Sequence, residues 1–218
     1  MPRRPWSGVM ALAACLACSV LPSPPVASAE QEKVVWEFPA SGGETAQSVW
    51  AAGGRGGERM DLEVRDGTAG VVCDDGDEAA WFFEARRSVL GDWSNAVGGS
   101  LTFRLEHQAT DGDFLLAAPD VIIQASTIRL SFSGAVAPGA TASQVAIPLH
   151  ASAGWQVQGG GLASDAQIRE ALSGIEALRI RGGFYSGAEI TSLSSARVTA
   201  PPSLLPRTLD TPRVDAGQ

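Results

Sequence analysis

Histidine, cysteine, tyrosine and basic side chains are all scarce in this chain. It carries two histidines, His107 and His150, three cysteines and a single tyrosine, Tyr185. Two histidines without metal-ligand spacing provide no zinc motif, and the G-x-S-x-G elbow of a serine hydrolase is absent. Cys15 and Cys18 sit within the first twenty residues, so the rest of the chain holds Cys73 alone and can build no internal disulfide framework. Cys73 reads as a small buried apolar residue at the end of a strand, since nothing around it suggests an activated thiol. The 16 basic residues stand against 24 acidic ones, a net charge of −8, and no Lys/Arg cluster interrupts that balance. Nucleic acid is thereby excluded as a partner, because phosphate binding needs a basic face. After the first twenty residues no apolar run approaches the roughly 18 that a transmembrane helix requires.

What the front of the chain does have is an export signal. Arg3 and Arg4 form a positive n-region, Val9 to Val20 is a short apolar stretch, and Ala27-Ser28-Ala29 is an A-x-A cleavage site. Cleavage there removes residues 1–29 and two arginines, which takes the balance to 14 basic against 24 acidic, or −10. The expected product is secreted, periplasmic or extracellular. Leu12-Ala13-Ala14-Cys15 also fits a bacterial lipobox, so the alternative is a lipoprotein acylated at Cys15 and tethered to a membrane. Residues 30–200 are then one domain, and the proline-containing stretch 201–218 reads as a disordered tail.

Within the domain the dominant signal has period two. In Ser100 to His107, Leu101, Phe103 and Leu105 alternate with Thr102, Arg104 and Glu106, which predicts a strand with one apolar and one wet face. The pattern recurs at Ser126 to Ser133, Gln144 to Leu149 and Glu176 to Arg181, where Leu178 and Ile180 face inward and Arg179 and Arg181 face water. Weaker strands are expected at Val34 to Phe38, Asp61 to Arg65, Ala69 to Cys73, Ala80 to Glu84, Asp120 to Gln124 and Leu193 to Thr199. Glycine-rich turns separate them, among them Gly53-Gly54-Arg55-Gly56-Gly57 and Gly159-Gly160-Gly161. One helix is predicted: Ser164 and Gln167 form a capping box, Ile168 and Leu172 share a face, and Gly174 ends it. The fold class is all-β, an antiparallel β-sandwich with one short helix.

An ordered string of short motifs carries a resemblance. Trp81-Phe82-Phe83-Glu84-Ala85 leads to Leu90-Gly91-Asp92-Trp93 and then Val97-Gly98-Gly99-Ser100-Leu101-Thr102-Phe103. Asp120-Val121-Ile122-Ile123, Ala151-Ser152-Ala153-Gly154-Trp155 and Ile175-Glu176-Ala177-Leu178-Arg179-Ile180-Arg181-Gly182 follow in order. The string resembles the laminin IV type A domain, also called the laminin B domain. That resemblance implies a jelly-roll-like, galactose-binding-like sandwich of extracellular matrix and cell-surface proteins, without catalysis. The chain departs from the family pattern at Val97, where tyrosine is usual, and at Arg86, where proline is common. Leu193-Ser194-Ser195-Ala196 replaces a Leu-Asp-Asn-Val string, which removes a carboxylate and with it any ion or ligand role of that aspartate.

Candidate binding groups are then aromatic. Trp93 in the Leu-Gly-Asp-Trp turn, and Phe184 and Tyr185 after Gly182-Gly183, are expected as exposed rings that stack on a sugar or anchor a protein. The competing reading packs Trp93 over the sandwich edge. Trp36, Phe38, Trp50 and Trp155 are assigned to the core. Asp75 and Asp77 in the acidic run Asp74-Asp75-Gly76-Asp77-Glu78 are candidate oxygen ligands for Ca2+, although the spacing is not that of an EF-hand and a solvated turn explains it equally. Asp92 reads as a turn former. No other cofactor is expected. The function expected is a non-catalytic extracellular recognition or structural module whose partner is a carbohydrate or an extracellular protein. One alternative is a polysaccharide hydrolase with two carboxylates about 5 to 10 Å apart. Another is a lipid-anchored envelope protein.

Overall fold

The computed structural model describes residues 33–38, 49–54, 59–60, 71–75, 80–109, 112–115, 118–137 and 141–202. The expected leader with Cys15, the candidate strand Asp61 to Arg65, Asp77 and the tail beyond Pro202 lie outside the described residues. The strands are β1 (Lys33–Phe38), β2 (Trp50–Gly54), β3 (Arg59–Met60), β4 (Val71–Asp75), β5 (Trp81–Ala85), β6 (Ser100–Ala109), β7 (Val121–Ala125), β8 (Arg129–Phe132), β9 (Ala142–Pro148), β10 (Gln156–Val157), β11 (Ile175–Arg181) and β12 (Glu189–Ala200). The helix α1 is Asp165–Ser173. Among the described residues two antiparallel sheets result, one of five strands in the order β1-β12-β6-β9 with β4 also on β12, the other of seven in the order β10-β8-β7-β11-β5-β2-β3.

Period-two sequence produces the five-stranded sheet directly. Leu101, Phe103, Leu105 and His107 of β6 are buried, while Arg104, Glu106 and Gln108 between them are exposed. On β12 the alternation changes phase: Thr191 and Leu193 are buried, and so are Ala196 and Val198. A β-bulge between Leu193 and Ser195 inserts the extra residue and keeps both halves apolar-side inward. Phe103, Leu105 and Val198 join Phe83, Ile123 and Ile180 of the other sheet in a single buried cluster. Burying side chains of this size stabilises by roughly 1.5–3 kcal/mol each.

At one end, Trp36, Trp50 and Phe38 pack edge to face, with ring centroids 5.9 and 5.7 Å apart. Trp155 plugs the other predicted corner, fully buried, with its indole N–H donating to the Pro148 carbonyl at 2.9 Å. The helix is capped as expected: the Ser164 hydroxyl accepts from the Gln167 N–H, and the Gln167 side chain accepts from the Ser164 N–H.

Two expectations are corrected. Gly53 and Gly54 belong to strand β2, whose Ala52 and Gly54 stand opposite Phe83 and Trp81 of β5. Small residues here face large aromatics, so what reads as a turn is a strand whose volume its neighbour supplies. Arg181 is buried, with 2% of its surface exposed, because β11 lies at the centre of the seven-stranded sheet and loop backbone covers its end.

Close backbone approach explains two motif glycines. A Cβ on Gly99 would lie 1.9 Å from the Thr199 carbonyl oxygen, and one on Gly182 would lie 2.2 Å from the Trp81 ring. Gly182→Ala is therefore expected to cost about 1–3 kcal/mol in denaturant unfolding, by forcing that indole off its seat. Gly91→Ala, in open space, should stay within about 0.5 kcal/mol, and equal midpoints for the two variants would contradict this packing.

Candidate functional site

The outer face of the five-stranded sheet is mostly polar in its middle rows. Glu37, Arg197, Thr102 and Ala146 are successive cross-strand partners, and Ser195, Arg104 and Gln144 form the next row. β1 covers the edge of β12 from Ala196 to Ala200, and β4 covers it from Glu189 to Leu193. Ser194 and Ser195, at the bulge, fall between these two coverings. A cleft of about 290 Å³ opens there, lined by Glu37, Thr102, Gln144, Ser195 and Arg197, with Phe38 and Ala196 beneath.

Its charges are arranged in pairs. Arg197 Nη2 lies 3.0 Å from Glu37 Oε2, and in the adjoining row Arg104 Nη2 lies 2.6 Å from Glu106 Oε1. Both pairs are solvated, so they contribute little to stability, and they present donors and acceptors already oriented at the surface. Glu37 is the one carboxylate in the cleft lining. A hydrolytic pair needs two facing carboxyl groups, and this cleft offers one, bound to an arginine.

The aromatic candidates sit elsewhere. Trp93 is 4% exposed, its ring 5.4 Å from that of Trp36 and its backbone N–H bonded to the Leu172 carbonyl of α1. The expectation of an exposed ring is corrected in favour of packing over the sandwich edge. Phe184 is fully buried and Tyr185 half-buried, both against His107 at 5.4 and 5.9 Å between centroids. Apolar area on a loop between two sheets is drawn inward unless something outside covers it. The sequence pattern pointed to none of the cleft residues as a site, and the expected rings are not brought together with the cleft. The signal for Thr102 and Arg104 was present as the wet face of β6, but alternation alone does not tell a ligand face from a solvated one. Asp75 ends β4 opposite Glu189. Among the described residues no group of three His, Cys, Asp or Glu side chains is placed to hold a metal ion. Asp92 is the turn former expected: its Oδ1 accepts from the Ser94 N–H at 2.8 Å, which also lowers its pKa.

A second cluster, wholly internal, gathers around Arg181. Its guanidinium donates to the carbonyls of Gly183, Ala118 and Leu115, lies over the Phe184 ring at 4.8 Å, and has Asp120 Oδ1 at 3.8 Å. Desolvation lowers its pKa, while the charges of Asp120 and Glu189 act to raise it. Asp120 also accepts from the Ala135 and Val136 N–H groups, and Glu189 accepts from the Phe184 N–H at 2.7 Å. One side chain thereby ties together two loops, the one before β7 and the one after β11.

The motif string, its spacing and the fold that contains it meet in one comparison: the family model for the laminin B domain (Domain IV) matches residues 82–201. The chain belongs to the laminin B family. The L4b domain of human laminin alpha-2 superposes with a TM-score of 0.62 at 11% identity, over 77% of this chain and 98% of that one. The family 11 carbohydrate-binding module of the cellulosomal cellulase Lic26A-Cel5E of Clostridium thermocellum matches with a TM-score of 0.45 at 16% identity, over 79% and 97%. No curated protein matches. In this laminin B domain Ser194 and Ser195, where the sequence leaves the family's Leu-Asp-Asn-Val string, are the residues of the bulge beside the cleft. Arg181 and Gly182, by contrast, keep the family's ending and serve the internal cluster.

His107 is 2% exposed and neither ring nitrogen has a hydrogen-bond partner, so desolvation lowers its pKa from 6.5. The unfolded chain takes up a proton that the folded chain refuses, and stability is therefore full above pH 6.5 and declines as pH falls below it. The unfolding free energy followed from pH 7.5 to about 5 should fall through this group by up to about 1.4 kcal/mol per pH unit. In His107→Leu that slope should vanish; an unchanged slope in the variant would contradict the assignment.

Proposed function

We propose that this laminin B domain is a non-catalytic extracellular recognition module that holds carbohydrate against the outer face of its five-stranded sheet. The observation that carries the reading is the cleft at the β12 bulge. There an amide, two hydroxyl-bearing residues and an oriented carboxylate–guanidinium pair converge on one side of a rigid sheet. Sugars present dense hydroxyl groups, each both donor and acceptor, and such a lining answers both roles. Binding through these groups needs no bridging Ca2+, since the single carboxylate of the lining is already paired.

The front of the chain supports the location. Residues 1–29 are proposed to be removed on export, which places residues 30–200 outside the cytoplasm as the working domain. Among the described residues no helix is long and apolar enough to cross a membrane.

A glycan array probed with the mature protein, with and without a calcium chelator, tests the reading. Binding is expected in both conditions. The double variant Thr102→Arg, Gln144→Arg fills the cleft from two exposed or half-exposed positions and should abolish array binding while leaving the melting temperature within a few degrees. A silent array, together with a protein partner recovered on the same face, would replace carbohydrate by protein recognition.

A further inference from the structure

We infer that the ligand is a neutral, hydroxyl-rich polysaccharide, read by the Glu37–Arg197 pair as a donor–acceptor fork spanning adjacent hydroxyl groups of one sugar. The inference rests on the carbohydrate reading and goes beyond it by excluding uronates and sulfated glycans. Its basis is the charge balance of the face. Both guanidinium groups on these rows are within hydrogen-bond distance of a carboxylate, at 3.0 Å for Arg197 and 2.6 Å for Arg104. Among the described side chains around the cleft, the two positive charges are each matched by one carboxylate, with no net excess. An anionic sugar would meet arginines whose charge is already answered by Glu37 and Glu106, and would set its own negative charge beside those carboxylates. It would also approach a mature chain with 14 basic against 24 acidic residues, a net charge of −10, which repels polyanions at range.

A neutral diol meets no such cost. Arg197 retains outward N–H groups while it holds Glu37, because a guanidinium carries five donors in a fixed plane. Glu37 likewise has acceptor capacity beyond the single bond to Nη2. One hydroxyl can donate to the carboxylate and its neighbour accept from the guanidinium, with Gln144, Thr102 and Ser195 around them. The register fixes this fork: Glu37 and Arg197 are direct cross-strand partners on β1 and β12, so their spacing follows the sheet and not a loop.

Affinity electrophoresis of the full mature chain separates the outcomes. The gels contain a neutral polymer (mixed-linkage glucan, xyloglucan or galactomannan) or an anionic one (polygalacturonate, alginate or heparin), each run at low and high salt. Retardation is expected in at least one neutral gel, changing less than about twofold with salt, since no counterions are released when the ligand is uncharged. Glu37→Gln, which keeps side-chain size, and Arg197→Gln, which shortens it, both break the charged fork and should each weaken retardation by about tenfold. Circular dichroism melts of both variants check that the sheet is intact. Retardation in anionic gels alone, or by neutral polymers with both variants unaffected, overturns the neutral fork while the carbohydrate reading stands. No retardation in any gel, with a silent glycan array, overturns both.

Discussion

A buried guanidinium needs acceptors for its donors, and in this laminin B domain that demand organises the loops at one end of the sandwich. Arg181 finds its acceptors in three carbonyl groups from two loops, those of Leu115 and Ala118 before β7 and of Gly183 after β11. Asp120 and Glu189 supply countercharge, and each also bonds loop N–H groups. Removing one partner from such a buried arrangement costs on the order of 3–5 kcal/mol, because the charge left behind has no water to turn to. The adjacent Gly182 lets Trp81 close over the strand end, and Thr191 bonds back to the Gly182 carbonyl from the opposite sheet. The Ile-Arg-Gly ending that carries part of the family resemblance is therefore architectural.

That assignment separates the molecule into a scaffold and a reading surface. Trp81, Trp93, Gly99, Trp155, Arg181 and Gly182 all lie in the interior or at tight backbone crossings. The outer face of the five-stranded sheet bears side chains that the core does not need: Thr102, Gln144, Ser195 and Arg197 can vary without disturbing Phe103, Val145, Ala196 or Val198 beneath and between them. Strand alternation makes this possible, since neighbouring residues serve opposite faces. The bulge at Ser194 and Ser195 marks where the two strands that flank β12, β1 and β4, change over, and the cleft opens beside it.

The sequence disclosed the sandwich well because period-two patterning is a local signal: β6, β9 and the capped helix were all legible from their own residues. β2 was not, since Ala51, Ala52, Gly53 and Gly54 have no apolar bulk to alternate, and their strand exists by virtue of the aromatics of β5. β12 was legible only in part, because the bulge breaks the period in its middle. Arg181 was misread for the opposite reason: alternation put it in water, and only the covering loops, distant in sequence, take it out. The candidate site suffered most. Exposed aromatics are the usual sequence cue for recognition, yet Trp93 and Phe184 are consumed by packing, while the cleft assembles from β1, β6, β9 and β12, which share no local motif.

The central claim is this division between a motif-bearing scaffold and a polar reading face. Its most direct measurement is an amide chemical-shift titration of the isotope-labelled mature protein with a neutral oligosaccharide. The account predicts shifts concentrated at Glu37, Thr102, Gln144, Ser195 and Arg197, with Trp93, Arg181 and Phe184 unmoved. Shifts centred on Trp93 or Phe184, with the sheet face silent, would contradict it.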